Sequence, residues 1–117
     1  MSGAGALDAL DERLIDAATA ISGCGPAYAY LFIEALADGG VKAGLPRDKA
    51  LRCAAQMLLG SAELALRSGK HPGELKDEVC SPGGSTIAGV AALESAGFRG
   101  ACIAAVEAAV ERTRQLG

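Results

Sequence analysis

Three observations on the 117 residues predict an all-α fold. Glycine and proline cut the chain into segments whose apolar residues recur with helical period, and no β-branched run alternates with period two. The 50% hydrophobic fraction is dominated by 25 alanines. The length fits one domain, which at this size buries roughly two-thirds of the surface its unfolded chain exposes and is expected to hold a core without metal or disulfide. Eleven Lys and Arg against 14 Asp and Glu give a formal charge of −3, with a pI near 5.1. There is no basic field, no Trp, and only two Tyr and two Phe for stacking bases, so nucleic acid is not an expected partner.

The elements follow in order. Helices are expected over Asp8–Ile21, Pro26–Ala43, Pro46–Ser68, Pro72–Val79, Ser85–Ala96 and Arg99–Leu116. Pro26, Pro46 and Pro72 sit where a first helical turn tolerates a missing N–H, and Gly44, Gly69 and Gly97 stand where C-terminal caps would. Residues 1–7 have neither the positive charge nor the apolar block of a signal peptide and read as a flexible leader, which leaves 8–117 as the helical domain. The longest uncharged stretch, Ala17 to Ile33, is interrupted by Gly23, Gly25 and Pro26, so no membrane span is expected. Cys24, Cys53, Cys80 and Cys102 lie more than twenty residues apart without Cys-x-x-Cys spacing. They are expected to be reduced, small buried hydrophobes in a cytoplasmic protein, and no metal site is expected.

Two helices look under-covered. In Pro26–Ala43 the charges Glu34, Asp38 and Lys42 make one narrow stripe, and Tyr28, Tyr30, Leu31, Phe32, Ile33, Leu36 and Val41 occupy most other directions. Arg99–Leu116 has a similar stripe of Glu107, Glu111 and Arg114. Pro46–Ser68 would be about 34 Å long. Long helices with so little polar cover point to close packing completed by a second copy, most simply with two-fold symmetry.

Chemistry is concentrated in Cys80-Ser81-Pro82-Gly83-Gly84-Ser85-Thr86, which feeds the apolar run from Ile87 to Leu93. A helix N-terminus has amides without an intrahelical acceptor and a partial positive charge, so Gly84, Ser85 and Thr86 can present N–H groups to a carboxylate or phosphate. Ser81, Ser85 and Thr86 add hydroxyl groups. The same residues fit equally a plain tight turn with Ser85 as helix cap. A second cluster, Ser22-Gly23-Cys24-Gly25-Pro26-Ala27-Tyr28, fits a kinked connection between two helices better than a ligand surface. His71, the only histidine, fits a helix start; Lys76 and Asp77 fit a solvated face.

The two glycine clusters, in this order and at this separation, resemble those of the pyrroline-5-carboxylate reductase family, in its C-terminal helical domain. The likeness runs from about Leu14 to Leu116. It includes Gly23 to Tyr28, Ala37-Asp38-Gly39-Gly40-Val41, Gly44-Leu45-Pro46, His71-Pro72-Gly73, Leu75-Lys76-Asp77, the whole Ser81 to Thr86 block, Leu93-Glu94 and Gly97-Phe98-Arg99. The resemblance implies a helical bundle of the 6-phosphogluconate dehydrogenase C-terminal type, forming an intertwined homodimer that a ring of dimers can extend. It further implies that the cyclic imine of 1-pyrroline-5-carboxylate is reduced to L-proline by hydride from NADPH or NADH.

Carried over residue by residue, Ser81, Gly83, Gly84, Ser85 and Thr86 would bind the substrate carboxylate, and the Thr86 hydroxyl would lie near the ring nitrogen as the catalytic group. Cys24 stands where serine is common in the family. No strand, glycine-rich loop and helix of a Rossmann unit is found in these 117 residues. The segment is therefore expected to dimerise, and to be inactive unless a nucleotide-binding part is supplied. The competing expectation is a helical dimerisation module without catalysis; a helical domain from another oxidoreductase of the same plan is disfavoured by the Ser81 to Thr86 block.

Overall fold

A computed structural model describes residues 11–117, and among these every regular element is a helix. They are α1 (Glu12–Ser22), α2 (Gly25–Lys42), α3 (Arg47–Ser68), α4 (Pro72–Val79), α5 (Ser85–Ser95) and α6 (Phe98–Leu116). The all-α expectation holds, and five of the six helices begin and end within one residue of where they were expected. The first begins later than Asp8 because Asp11 caps it: the Asp11 carboxylate accepts from the Leu14 amide at 3.2 Å. The leader over 1–7, and Asp8 to Leu10, lie outside the described residues.

Local chemistry explains the boundaries. His71 caps α4 through Nδ1, which accepts from the Gly73 amide at 2.9 Å, and Pro72 follows in the first turn. Pro46 stands just before α3 rather than inside it, and its carbonyl accepts from Ala50 at 2.9 Å. Gly69 closes α3 in the left-handed region, with φ of 68°.

The chain divides into two compact units. In the first, which joins the residues up to Tyr28 with Gly97–Gly117, α1 packs along α6. Ala20 is buried there, and Arg114 reaches Asp16 at 3.9 Å. The second unit is Ala29–Ala96. Ala37, Ala50 and Ala54 are buried in it, and Gly40 approaches Ala50 so closely that an added β-carbon would stand 3.3 Å from the Ala50 methyl. An Arg47–Asp38 ion pair spans the connection between α2 and α3, and Lys70 Nζ meets the Glu78 carboxylate at 2.8 Å.

One expectation is corrected. A chain of this length was expected to hold a core without metal or disulfide, and what the described residues bury is narrower than that suggests, since the buried hydrophobic residues are four alanines. Long side chains stay out: Leu59 is 64% exposed, Leu66 85% and Ile103 61%. Small residues let helices approach but bury little area each, so most of the apolar surface that could stabilise these helices is not covered by the chain itself. The cysteines follow suit, since Cys53 and Cys102 are exposed and Cys24 and Cys80 half-buried; all four are unpaired. The stretch Glu12–Lys42 contains an 18-residue window of mean hydropathy 1.2, which by length and composition alone would suffice for a membrane span.

Candidate site at the start of helix α5

The Ser81 to Thr86 block lies in the second unit, on the turn between α4 and α5 and the first two residues of α5. Helix α4 is capped by Cys80, whose amide donates to the Asp77 carbonyl at 3.1 Å. The chain then reverses over four residues, with the Gly84 amide donating to the Ser81 carbonyl at 3.1 Å. Proline at the second position and a glycine with φ of 69° at the third, Gly83, match a type II turn. A residue with a β-carbon at 83 would be strained, so this glycine is required by conformation.

Gly84 is the N-cap of α5, with φ −83° and ψ 178°, and no side chain caps the helix. The reading of Ser85 as helix cap is therefore overturned: Ser85 is already the first helical residue. The amides of Ser85 and Thr86 lie in that first turn, where no intrahelical acceptor exists and the helix dipole favours negative charge. Ser81, Gly83, Ser85 and Thr86 are all exposed, and Gly84 is half-buried.

The expectation that all three amides would face an anion is corrected in one respect. The Gly84 amide is committed to closing the turn, which leaves those of Ser85 and Thr86. What Gly84 contributes is space, for a β-carbon there would stand 2.5 Å from the Ser81 hydroxyl oxygen. Sequence spacing carried no signal for this, because the Gly84 backbone is in a region any residue adopts.

The other candidates fall outside the turn. The Gly23 to Tyr28 cluster belongs to the first unit and is a helix connection, in which Gly23 and Cys24 both donate to the Thr19 carbonyl, at 2.7 and 3.3 Å. His71 is engaged in capping α4. Lys76 and Asp77 pair with each other at 3.4 Å on an exposed face. Among the described residues no group of His, Cys, Asp and Glu could hold a metal ion.

Comparison with known proteins gives a consistent picture. Residues 12–116 match the family model described as pyrroline-5-carboxylate reductase dimerisation. A pyrroline-5-carboxylate reductase of Pisum sativum is 63% identical over 106 residues, 91% of this chain and 39% of that protein. Pyrroline-5-carboxylate reductase 2 of Bos taurus is 58% identical over 116 residues, 99% of this chain and 36% of that protein. The chain thus spans under two-fifths of the length of these curated relatives.

Among solved structures, the pyrroline carboxylate reductase of Plasmodium falciparum, crystallised with NADP bound, superposes with a TM-score of 0.87 at 46% identity. It is matched over 92% of this chain and 41% of that one. A pyrroline-5-carboxylate reductase of Coxiella burnetii gives a TM-score of 0.88 at 37% identity, over 92% and 40%. With residues 12–116 matched by the family's model and the same helical fold in the solved relatives, the chain belongs to the pyrroline-5-carboxylate reductase dimerisation family.

Proposed function

We propose that this chain is the dimerisation and substrate-binding part of a pyrroline-5-carboxylate reductase, holding 1-pyrroline-5-carboxylate for its NAD(P)H-dependent reduction to L-proline in proline biosynthesis. One observation carries this reading: the Ser81–Gly84 turn delivers the first turn of α5 with no side-chain cap, and the residue that opens the turn and the first two of the helix, Ser81, Ser85 and Thr86, all carry hydroxyl groups. A carboxylate placed there accepts from the Ser85 and Thr86 amides and from Ser81, each a charge-assisted hydrogen bond. With the carboxylate so held, the Thr86 hydroxyl lies near the ring nitrogen, where it orients the imine and helps a proton from solvent arrive as hydride reaches the adjacent carbon.

The cofactor would supply the hydride. The described residues do not fit a dinucleotide, having no strand from which a glycine-rich phosphate loop could spring. In this reading NADPH or NADH is bound by a part of the enzyme outside them, and the helical segment supplies substrate orientation.

The partner is a second copy. The family's description as a dimerisation domain and the exposed leucines of α3 support a homodimer, and the family resemblance allows a ring of such dimers. The apolar stretch Glu12–Lys42 is read as part of that dimer rather than as a membrane span. Four unpaired cysteines fit a reducing compartment, and the cytoplasm is the proposed location.

Titrating the chain with L-proline while following backbone amide signals tests the site. Shifts centred on Ser85 and Thr86 are expected. Dimerisation in sedimentation with an unchanged spectrum at saturating proline would instead favour the second reading, a dimerisation module that binds no substrate. That reading draws on the same exposed apolar helices.

A further inference from the structure

We propose that Gly84 is a positioning residue, whose missing side chain seats the Ser81 hydroxyl at the mouth of α5. The proposal rests on the carboxylate reading of the Ser81 to Thr86 turn and adds a residue to it.

The two adjacent glycines are there for different reasons. Gly83 has φ of 69°, so its backbone conformation explains it. Gly84 has φ −83° and ψ 178°, extended backbone open to any residue, so conformation does not. Space does. A β-carbon built on Gly84 would stand 2.5 Å from the Ser81 hydroxyl oxygen, 3.3 Å from the Ser81 carbonyl oxygen and 3.8 Å from the Ser81 β-carbon.

Only the first of these distances is prohibitive; the second asks for a few tenths of an ångström and the third is ordinary contact. The severe collision is therefore with the hydroxyl, the carbonyl contact being only tight. The backbone cannot relieve it without breaking the 3.1 Å bond from the Gly84 amide to the Ser81 carbonyl. The remaining freedom is the single torsion that carries the serine oxygen, which would turn the hydroxyl to another rotamer and away from the first turn of α5.

A double-substitution cycle in the complete reductase carrying these residues tests this, with KM for 1-pyrroline-5-carboxylate, kcat and the unfolding midpoint as readouts. Ser81→Ala is expected to raise KM about tenfold, the effect of one hydrogen bond to a charged group. Gly84→Ala is expected to raise KM by the same factor, and Ser81→Ala/Gly84→Ala to be no worse than Ser81→Ala alone. Independent multiplication of the two effects, or an unchanged KM in Gly84→Ala, overturns the role of Gly84 while leaving the carboxylate site standing. An unchanged KM in Ser81→Ala removes the site's serine and the proposal with it. If Gly84→Ala folds poorly, the midpoint decides: recovery in Ser81→Gly/Gly84→Ala supports the proposal, and an undiminished loss there shows that the backbone, not the hydroxyl, demands the glycine.

Discussion

The Gly84 amide donates to the Ser81 carbonyl at 3.1 Å, and this one bond sorts the site's residues into two kinds. Ser81, Pro82, Gly83 and Gly84 shape the turn. Ser85 and Thr86 are presented by it, as the first residues of a helix with no side-chain cap.

Thr86 is the residue on which the proposed chemistry depends. In the complete reductase, Thr86→Ala is expected to lower kcat about a hundredfold, the lower end of what positioned proton transfer contributes, with a smaller change in KM. Steady-state kinetics with varied 1-pyrroline-5-carboxylate check this. Unaltered turnover would remove Thr86 from the mechanism.

Gly83 should matter through conformation. Gly83→Ala places a β-carbon at φ of 69° and is expected to cost about 1–2 kcal/mol, measured by urea unfolding. Its neighbour's substitution acts by collision with Ser81, so the two alanine variants should differ in whether removing the Ser81 hydroxyl rescues them.

His71 should behave as a cap and not as a base. Because Nδ1 accepts from the Gly73 amide at 2.9 Å, His71→Ala is expected to destabilise by about 1 kcal/mol in chemical unfolding, and His71→Asn by less. Equal loss in both variants would contradict the capping role.

The exposed leucines of α3 should be covered in solution. The unfolding midpoint of the chain is expected to rise with protein concentration, as it does when folding is coupled to association. Leu59→Asp should shift the species seen by sedimentation velocity toward monomer, since this residue is 64% exposed in the chain alone. A concentration-independent midpoint would count against a second copy as the partner.

Much of the fold was legible because it is punctuated locally. Proline before or within first turns and glycine after last turns mark helix ends through backbone chemistry that needs no tertiary contact. Helix α4 has the bounds that its proline and the sequence period predict, Pro72–Val79. The one late start comes from Asp11, a capping carboxylate that nothing in the sequence sets apart from the charged run around it. The under-covered helices were legible too, because a stripe such as Glu34, Asp38 and Lys42 leaves the rest of α2 apolar whatever it packs against.

By itself, the sequence determined the helices, the family and the block of residues at Ser81 to Thr86, since each depends on local backbone chemistry or residue order. The tertiary structure decided how that block is used: Gly84 rather than Ser85 is the cap, its amide closes the turn, and its bare α-carbon makes room for a hydroxyl. It decided as well that, among the described residues, alanines are buried and no leucine is. The reason is the same in both cases. Which atoms touch is fixed by distances in space, and residue spacing along a chain carries those only where the backbone repeats.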